Sequence, residues 1–192
     1  MGVAGSITLK ADISPLLSVF TSWKQAEMKS LFDRNRAMLT DTFALRFHEF
    51  YFLLDRDLVG FVNARGLFDK IFDVNSRQLV DKYEVLCVIT MASSLSAKEK
   101  IDYIFEAFNF NNKGYLTRSE TSLMIRSVVS GIYKADPSIG LPSNELFEEY
   151  VSTAFTFATQ NSNSLRKPEI AKFSIDIREC REFMESWRGV AV

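Results

Sequence analysis

Oxygen-bearing side chains recur through a twelve-residue stretch from Asn109 to Glu120, which reads NFNNKGYLTRSE. Asn109, Asn111, Thr117 and Glu120 stand at its first, third, ninth and twelfth positions. Calcium takes six to eight oxygen ligands, and a twelve-residue loop that ends in a bidentate glutamate supplies them at this spacing. Gly114 stands at the sixth position, where a sharp turn is needed. The stretch therefore has the outline of a cation-binding loop.

The charges in this stretch argue against calcium binding. Glu120 is the only carboxylate, and Lys113 puts a positive charge at the fifth position, where an oxygen should face the ion. Each charge interaction in a partly buried site is worth on the order of several kcal/mol. We therefore predict that Asn109, Asn111, Thr117 and Glu120 do not hold calcium at micromolar concentrations.

A second stretch of the same outline runs from Asp73 to Glu84 and reads DVNSRQLVDKYE. Its candidate metal ligands carry more charge, and they are Asp73, Asn75, Asp81 and Glu84. Gln78 replaces the glycine of the sixth position, so it must adopt a strained conformation or the loop must relax. Arg77 replaces the fifth ligand, and we predict that it forms an internal salt bridge with these acids. Calcium is thus a possible cofactor, but no cofactor is the expectation.

The two stretches belong to an internal repeat. They begin at residues 73 and 109, 36 residues apart, and a third stretch, Ala158 to Glu169, begins 49 residues further on. Each carries an apolar eighth residue four positions before its closing glutamate, namely Val80, Leu116 and Leu165. A first loop is expected around Phe32 to Phe43. The segment Asp55 to Gly66 imitates a loop but lacks the closing glutamate, and we interpret it as a turn between helices.

Helical spacing of apolar residues dominates the rest of the chain. It predicts helices over about 41–54, 64–72, 82–92, 97–108, 118–133, 143–158 and 168–187. In the last of these, Phe173, Ile177, Cys180, Met184 and Trp187 lie on one stripe, which indicates a helix with one core-facing side.

These loops and flanking helices resemble the EF-hand superfamily in its four-hand form. The chain is similar to the neuronal calcium sensors, to the calcium- and integrin-binding proteins and most of all to calaxin-like axonemal proteins, on the run SSLSAKEKIDYIFEAFNFNNKGYLTRSE. The resemblance implies an all-α fold with two lobes of paired helix-loop-helix units. We expect the lobes at 14–92 and 93–187, with flexible termini at 1–13 and 188–192.

The function implied by the resemblance is that of a non-enzymatic adaptor. EF-hand lobes bind an amphipathic helix of a larger protein in an apolar groove. The residues expected to line this groove are Phe105, Phe108, Met124, Val128, Phe155 and Met184. The expected location is cytoplasmic, in the axoneme of a cilium or flagellum.

Other classes of function find little support in the sequence. The formal net charge of −1 gives no electrostatic reason to expect a nucleic-acid partner. No apolar run reaches the roughly 20 residues that span a membrane. No catalytic motif is present, so no catalytic residue is assigned. Gly2 followed by Ser6 fits the N-myristoylation pattern, and membrane contact is expected only if Gly2 is acylated.

Two alternatives remain open at this stage. The chain could be a calcium sensor that switches through the second loop and is attached to membranes through Gly2. It could also be a regulatory subunit of an enzyme such as a phosphatase or kinase. Calcium-dependent tryptophan fluorescence would distinguish the first from an adaptor, and purification with native partners would identify the second.

Overall fold

The computed structural model describes residues 15–38, 43–73, 76–136, 143–158 and 164–170. A short 3-10 segment, Pro15–Phe20, precedes the first helix, and a π-helical turn, Phe68–Phe72, follows the fourth. The helices are α1 Gln25–Ala37, α2 Phe47–Leu53, α3 Arg56–Val59, α4 Phe61–Leu67, α5 Lys82–Ala92, α6 Ala97–Phe108, α7 Arg118–Ala135 and α8 Asn144–Ala158. The strands are β1 Ala44–Leu45, β2 Val80–Asp81, β3 Tyr115–Thr117 and β4 Ser164–Arg166. Residues 167–170 begin a further helix.

The short strands join the first loop to the second and the third loop to the fourth. Strand β1 runs antiparallel to β2 with Leu45 opposite Val80, and β3 runs antiparallel to β4 with Leu116 opposite Leu165. All four of these apolar side chains are buried. The fold is therefore all-α, with two pairs of EF-hand-like helix-loop-helix units that are joined through short strand contacts. The predicted lobe boundaries themselves remain predictions.

The strand register corrects the predicted first loop. Leu45 occupies the place of the eighth loop residue, so the twelve-residue frame runs from Met38 to Glu49. Residues 32–37, which were predicted to begin the loop, lie in α1 instead. The prediction of a loop around Phe32 to Phe43 was therefore wrong, because α1 continues to Ala37 and Leu45 sets the frame through its pairing with Val80.

Two predicted helices also begin elsewhere. The helix predicted from about 41 starts at Phe47, since Ala44 and Leu45 form β1. The helix predicted over 64–72 starts at Phe61 and changes to π-helical turns at Phe68. The interpretation of Asp55 to Gly66 as a turn between helices is wrong, because most of the segment is helical and contains α3 and the greater part of α4. Most of the apolar stripe of the last predicted helix, from Phe173 onwards, lies outside the described residues.

The N-terminal 3-10 segment packs into the core of the first pair of hands. Leu17 and Phe20 are fully buried, and Phe20 meets Trp23 edge to face with ring centroids 4.8 Å apart. The main-chain oxygen of Trp23 accepts hydrogen bonds from the N–H and the hydroxyl of Ser94. This segment thereby connects the start of the chain to the junction between α5 and α6.

Within the described part of the chain, no helix has the length and apolar character needed to cross a lipid bilayer.

Helices α5 and α7 form the most extensive helix pair and join the two pairs of hands. Gly131 lies at their crossing, where a Cβ atom on this residue would stand 2.8 Å from Cγ2 of Val88 and 3.0 Å from the carbonyl oxygen of Glu84. The first distance is shorter than real Cβ contacts allow, and the second is tighter than most of them. The absence of a side chain at Gly131 is therefore what allows α7 to approach α5.

Replacement of Gly131 by alanine is expected to destabilise the protein by about 1–2 kcal/mol. Alanine in a helix interior would by itself gain up to about 1 kcal/mol over glycine, but the steric overlap with α5 outweighs this gain. Chemical denaturation measures the difference. Ser130→Ala on the same helix is the control, and it should be neutral or slightly stabilising. Equal or greater stability of Gly131→Ala would contradict the close crossing.

Candidate metal-binding loops

Asp73, the first residue of the second loop, accepts hydrogen bonds from the main chain of the same loop. Asp73 is buried, and its two carboxylate oxygens accept hydrogen bonds from the main-chain N–H groups of Arg77 and Gln78 at 2.8 and 2.7 Å. These bonds close the loop on itself. Asn75, the expected ligand at the third position, lies outside the described residues.

The turn of the second loop is strained in the way the sequence predicted. Gln78 has φ of 57° and Ser76 has φ of 52°, in the left-handed region that favours glycine. The third loop has Gly114 at the corresponding place, with φ of 74°, where glycine carries no such penalty. The second loop therefore keeps the turn geometry without the residue that suits it.

The closing glutamate of the second loop binds a cation from another hand. Oε2 of Glu84 lies 2.6 Å from the ammonium nitrogen of Lys134 on α7, and the two side chains are only 15% and 20% exposed. Burial raises the pKa of Glu84, and the bond to Lys134 offsets part of this rise. The Lys134 ammonium also donates to the carbonyl oxygen of Phe72 at 3.4 Å. Lys134 thus bridges the incoming helix and the closing residue of this loop.

The predicted salt bridge of Arg77 is therefore wrong. Within the described ranges, Arg77 forms no ion pair, and the cation that reaches the loop carboxylates is Lys134. Asp81, the remaining acidic ligand candidate, acts as the N-cap of α5, where its Oδ1 accepts the N–H groups of Tyr83 and Glu84 at 2.8 and 3.0 Å. Each described acid of this loop already has a partner in the protein.

The candidate ligands of the third loop also form hydrogen bonds within the loop itself. Oδ1 of Asn109 accepts the N–H of Lys113 at 3.1 Å. Thr117 and Glu120 form a capping box, in which Oε2 of Glu120 accepts both the N–H and the hydroxyl of Thr117 at 2.8 Å. The two side chains expected as ligands at the ninth and twelfth positions thus stabilise the start of α7. Asn111 is exposed.

The first and fourth loops also keep the closing glutamate for capping. Glu49 accepts the N–H of Arg46 at 2.7 Å, and Glu169 accepts the N–H of Arg166 at 2.6 Å. The ninth position of both loops is an arginine, where calcium-binding loops carry an oxygen. Their geometry therefore serves the fold, since each glutamate satisfies a main-chain donor at the start of the outgoing helix.

The donor set of the described residues does not fit calcium. No group of three or more histidine, cysteine or acidic side chains converges on a common point anywhere in the described ranges. Calcium needs several anionic oxygens directed at one point. The second and third loops instead direct their oxygens at main-chain donors and at Lys134.

Most of the predicted groove residues lie in the hydrophobic core. Phe105, Phe108, Met124 and Phe155 are buried, and Val128 is half-buried against the same core. Met184 lies outside the described residues. Gly2, the predicted acylation site, is outside them as well. The described members of the predicted groove are thus part of the core, and their use by a partner remains a prediction.

Two features of these loops escaped the sequence analysis. The first loop could have been found from Leu45 and Glu49, because their spacing of four matches the other three loops. The role of Lys134 had no such signal, since it stands 50 residues after Glu84 and meets it only through the crossing of α5 and α7.

Four hands paired through short strands, three of them with a closing glutamate that caps the outgoing helix, define a protein with an EF-hand-type fold. No protein-family model matches the chain. Over 127 residues it is 24% identical to the calcium-binding protein NCSA of Dictyostelium discoideum. The match spans 66% of this chain and 66% of that protein's length. This distant similarity to a calcium-binding protein is consistent with the EF-hand-type fold.

Proposed function

We propose that this protein is a non-enzymatic EF-hand adaptor that binds an amphipathic helix of a larger protein without needing calcium. The observation that carries the proposal is the ion pair between Glu84 and Lys134. The second loop has the most acidic residues of the four, and its closing carboxylate is neutralised by the protein's own cation. A switch that depends on calcium would need this carboxylate to be available to the ion.

The other loops support the same proposal. The third loop has a single anionic ligand candidate, Glu120, and carries Lys113, and the first and fourth loops carry arginine at the ninth position. All four nevertheless keep the apolar strand residue and the closing glutamate, which hold the hands together. Selective retention of the structural residues is what a scaffold for protein binding requires. Its proposed location is the cytoplasm, within a ciliary or flagellar axoneme, as the sequence resemblance implies.

The first test is titration calorimetry of the intact protein with calcium chloride. We expect no saturable heat at calcium concentrations up to about 100 μM, the range in which EF-hand sensors bind. Glu84→Gln serves as the comparison, because it removes the closing carboxylate of the second loop. Micromolar binding by the wild type that is lost in Glu84→Gln would contradict the proposal.

A second candidate function is a calcium sensor that switches through the second loop. It is favoured by the three acids of that loop and by the similarity to a calcium-binding protein. Intrinsic fluorescence from Trp23, which is buried against Phe20, discriminates between the two functions. A calcium-dependent spectral shift supports the sensor, and an unchanged spectrum supports the adaptor.

A further inference from the structure

An aromatic surface lies on the outside of the first pair of hands. Phe47 and Tyr51 of α2 stack with ring centroids 5.9 Å apart, and Phe61 of α4 meets them edge to face at 5.4 and 5.6 Å. We call these three residues, with the arginines beside them, the α2–α4 aromatic face. Phe61 is 57% exposed, while Phe47 and Tyr51 are half-buried beside it. Because the three rings adjoin one another, they form a contiguous apolar patch, and such patches often mark interaction sites.

Two arginines border the α2–α4 aromatic face. The guanidinium of Arg65 lies 4.8 Å from the ring centroid of Phe47, and that of Arg56 lies 5.6 Å from the ring centroid of Tyr51. Arg65 forms an ion pair with Asp69, in which Nε lies 2.7 Å from Oδ2. Arg56 has no carboxylate within ion-pair distance among the described residues, not even the adjoining Asp57. The rim of this face therefore offers positive charge to a partner.

Most of the nearby carboxylates are engaged within the protein. Asp55 pairs with Arg34 at 2.8 Å, Glu49 caps α2, and Asp69 is held by Arg65. Asp57 is exposed and forms no ion pair among the described residues, but Arg56 is the charged side chain that lies against the Tyr51 ring. An aromatic centre with a cationic rim fits a ligand that is apolar in the middle and acidic at its flanks.

We infer that the α2–α4 aromatic face binds an amphipathic helix whose apolar stripe is flanked by acidic residues. This inference rests on the proposed adaptor function and names the surface and the chemistry of the partner. An apolar side chain of the helix packs against Phe61 and Tyr51, and a carboxylate one turn away meets Arg56. Aromatic and arginine anchors of this kind dominate binding energies at interfaces. The α2–α4 aromatic face is a different surface from the predicted groove around Phe105 and Phe108.

The test uses two synthetic helical peptides of equal length, one with a leucine stripe flanked by glutamate and one with the same stripe flanked by lysine. Fluorescence anisotropy of labelled peptides measures Kd against the intact protein, in calcium and in chelator. We expect the glutamate peptide to bind more tightly than the lysine peptide, with the same Kd in both buffers. Phe61→Ser should weaken its binding by about tenfold or more.

Val62→Ser is the matched control. Val62 adjoins Phe61 on α4 and is 82% exposed, but none of the ring contacts of the aromatic face involve it. We expect no change in peptide Kd, and circular dichroism should show both variants folded. Arg56→Glu should reverse the preference towards the lysine peptide, because it inverts the charge at the rim.

Three results overturn part or all of this account. Tight binding of either peptide that Phe61→Ser leaves unchanged rejects the aromatic face while the adaptor function stands. Preference of the wild type for the lysine peptide rejects the acidic partner. Binding of neither peptide rejects the aromatic face together with the proposed function.

Discussion

Replacement of Asn109, Asn111 and Lys113 together by aspartate is expected to turn the third loop into a calcium site with Kd in the micromolar range. The loop would then read DFDNDGYLTRSE, with carboxylates at the first, third, fifth and twelfth positions. The change adds negative charge at three positions and removes the cation at one of them. Each such interaction is worth on the order of several kcal/mol in a partly buried site, so the gain over the wild type exceeds about a hundredfold.

The frame for this site already exists in the protein. Gly114 has the positive φ of the sixth position, the side chain of Asn109 already accepts the N–H of residue 113, and Leu116 pairs with Leu165. Calorimetry with calcium chloride measures the gain. The control adds Glu120→Gln to the triple variant, which removes the closing carboxylate and should lower the affinity by tenfold or more. Absence of saturable binding in the folded triple variant would mean that the frame, and not the charge, has been lost.

Replacement of Lys134 by methionine is expected to destabilise the protein by about 2 kcal/mol at neutral pH. The substitution keeps most of the side-chain volume but leaves the carboxylate of Glu84 mostly buried without its cation. Removal of one partner from a buried pair costs more than removal of both, because the remaining charge loses its compensation. The double variant Glu84→Gln with Lys134→Met should therefore recover most of the lost stability. Urea denaturation of the three proteins measures these differences.

The cost of Lys134→Met should depend on pH in a defined direction. Burial raises the pKa of Glu84 in the folded protein, and loss of Lys134 removes an influence that lowers it. A carboxyl group with a raised folded pKa binds its proton more tightly in the folded state than in the unfolded state. The penalty is thus fully present above that pKa and is relieved as the pH falls through it. A penalty that is the same at pH 4 and pH 7, or that persists in the double variant, would contradict the ion-pair explanation.

Several elements could be predicted from the sequence because their causes are local. The capping box of Thr117 and Glu120 depends on residues only three positions apart, a Thr-x-x-Glu pattern that can be recognised in the sequence. Helices α5, α6 and α8 begin within a residue of their predicted starts. Apolar spacing and capping residues determine where such helices begin, and both can be recognised in the sequence. The pairing of Leu116 with Leu165 follows from the repeat itself.

The prediction of the first loop failed for a different reason. The frame from Met38 to Glu49 has no recognisable set of metal ligands, but it keeps the strand residue Leu45 and the closing glutamate. Those two features serve strand pairing and helix capping, which remain necessary after the metal function is gone. A search on the spacing of Leu45 and Glu49 alone would have placed the loop correctly.

The sequence by itself determined the number of hands with recognisable loops, the helical class of the fold and the shortage of anionic oxygens, because these follow from residue types at fixed spacing. Only the tertiary structure decided which cation meets Glu84 and which aromatic rings face the solvent. The pair of Glu84 with Lys134 depends on how closely α5 and α7 cross at Gly131, and the α2–α4 aromatic face depends on how α2 and α4 pack. Contacts between residues far apart in the chain arise from packing, and local spacing carries no record of them.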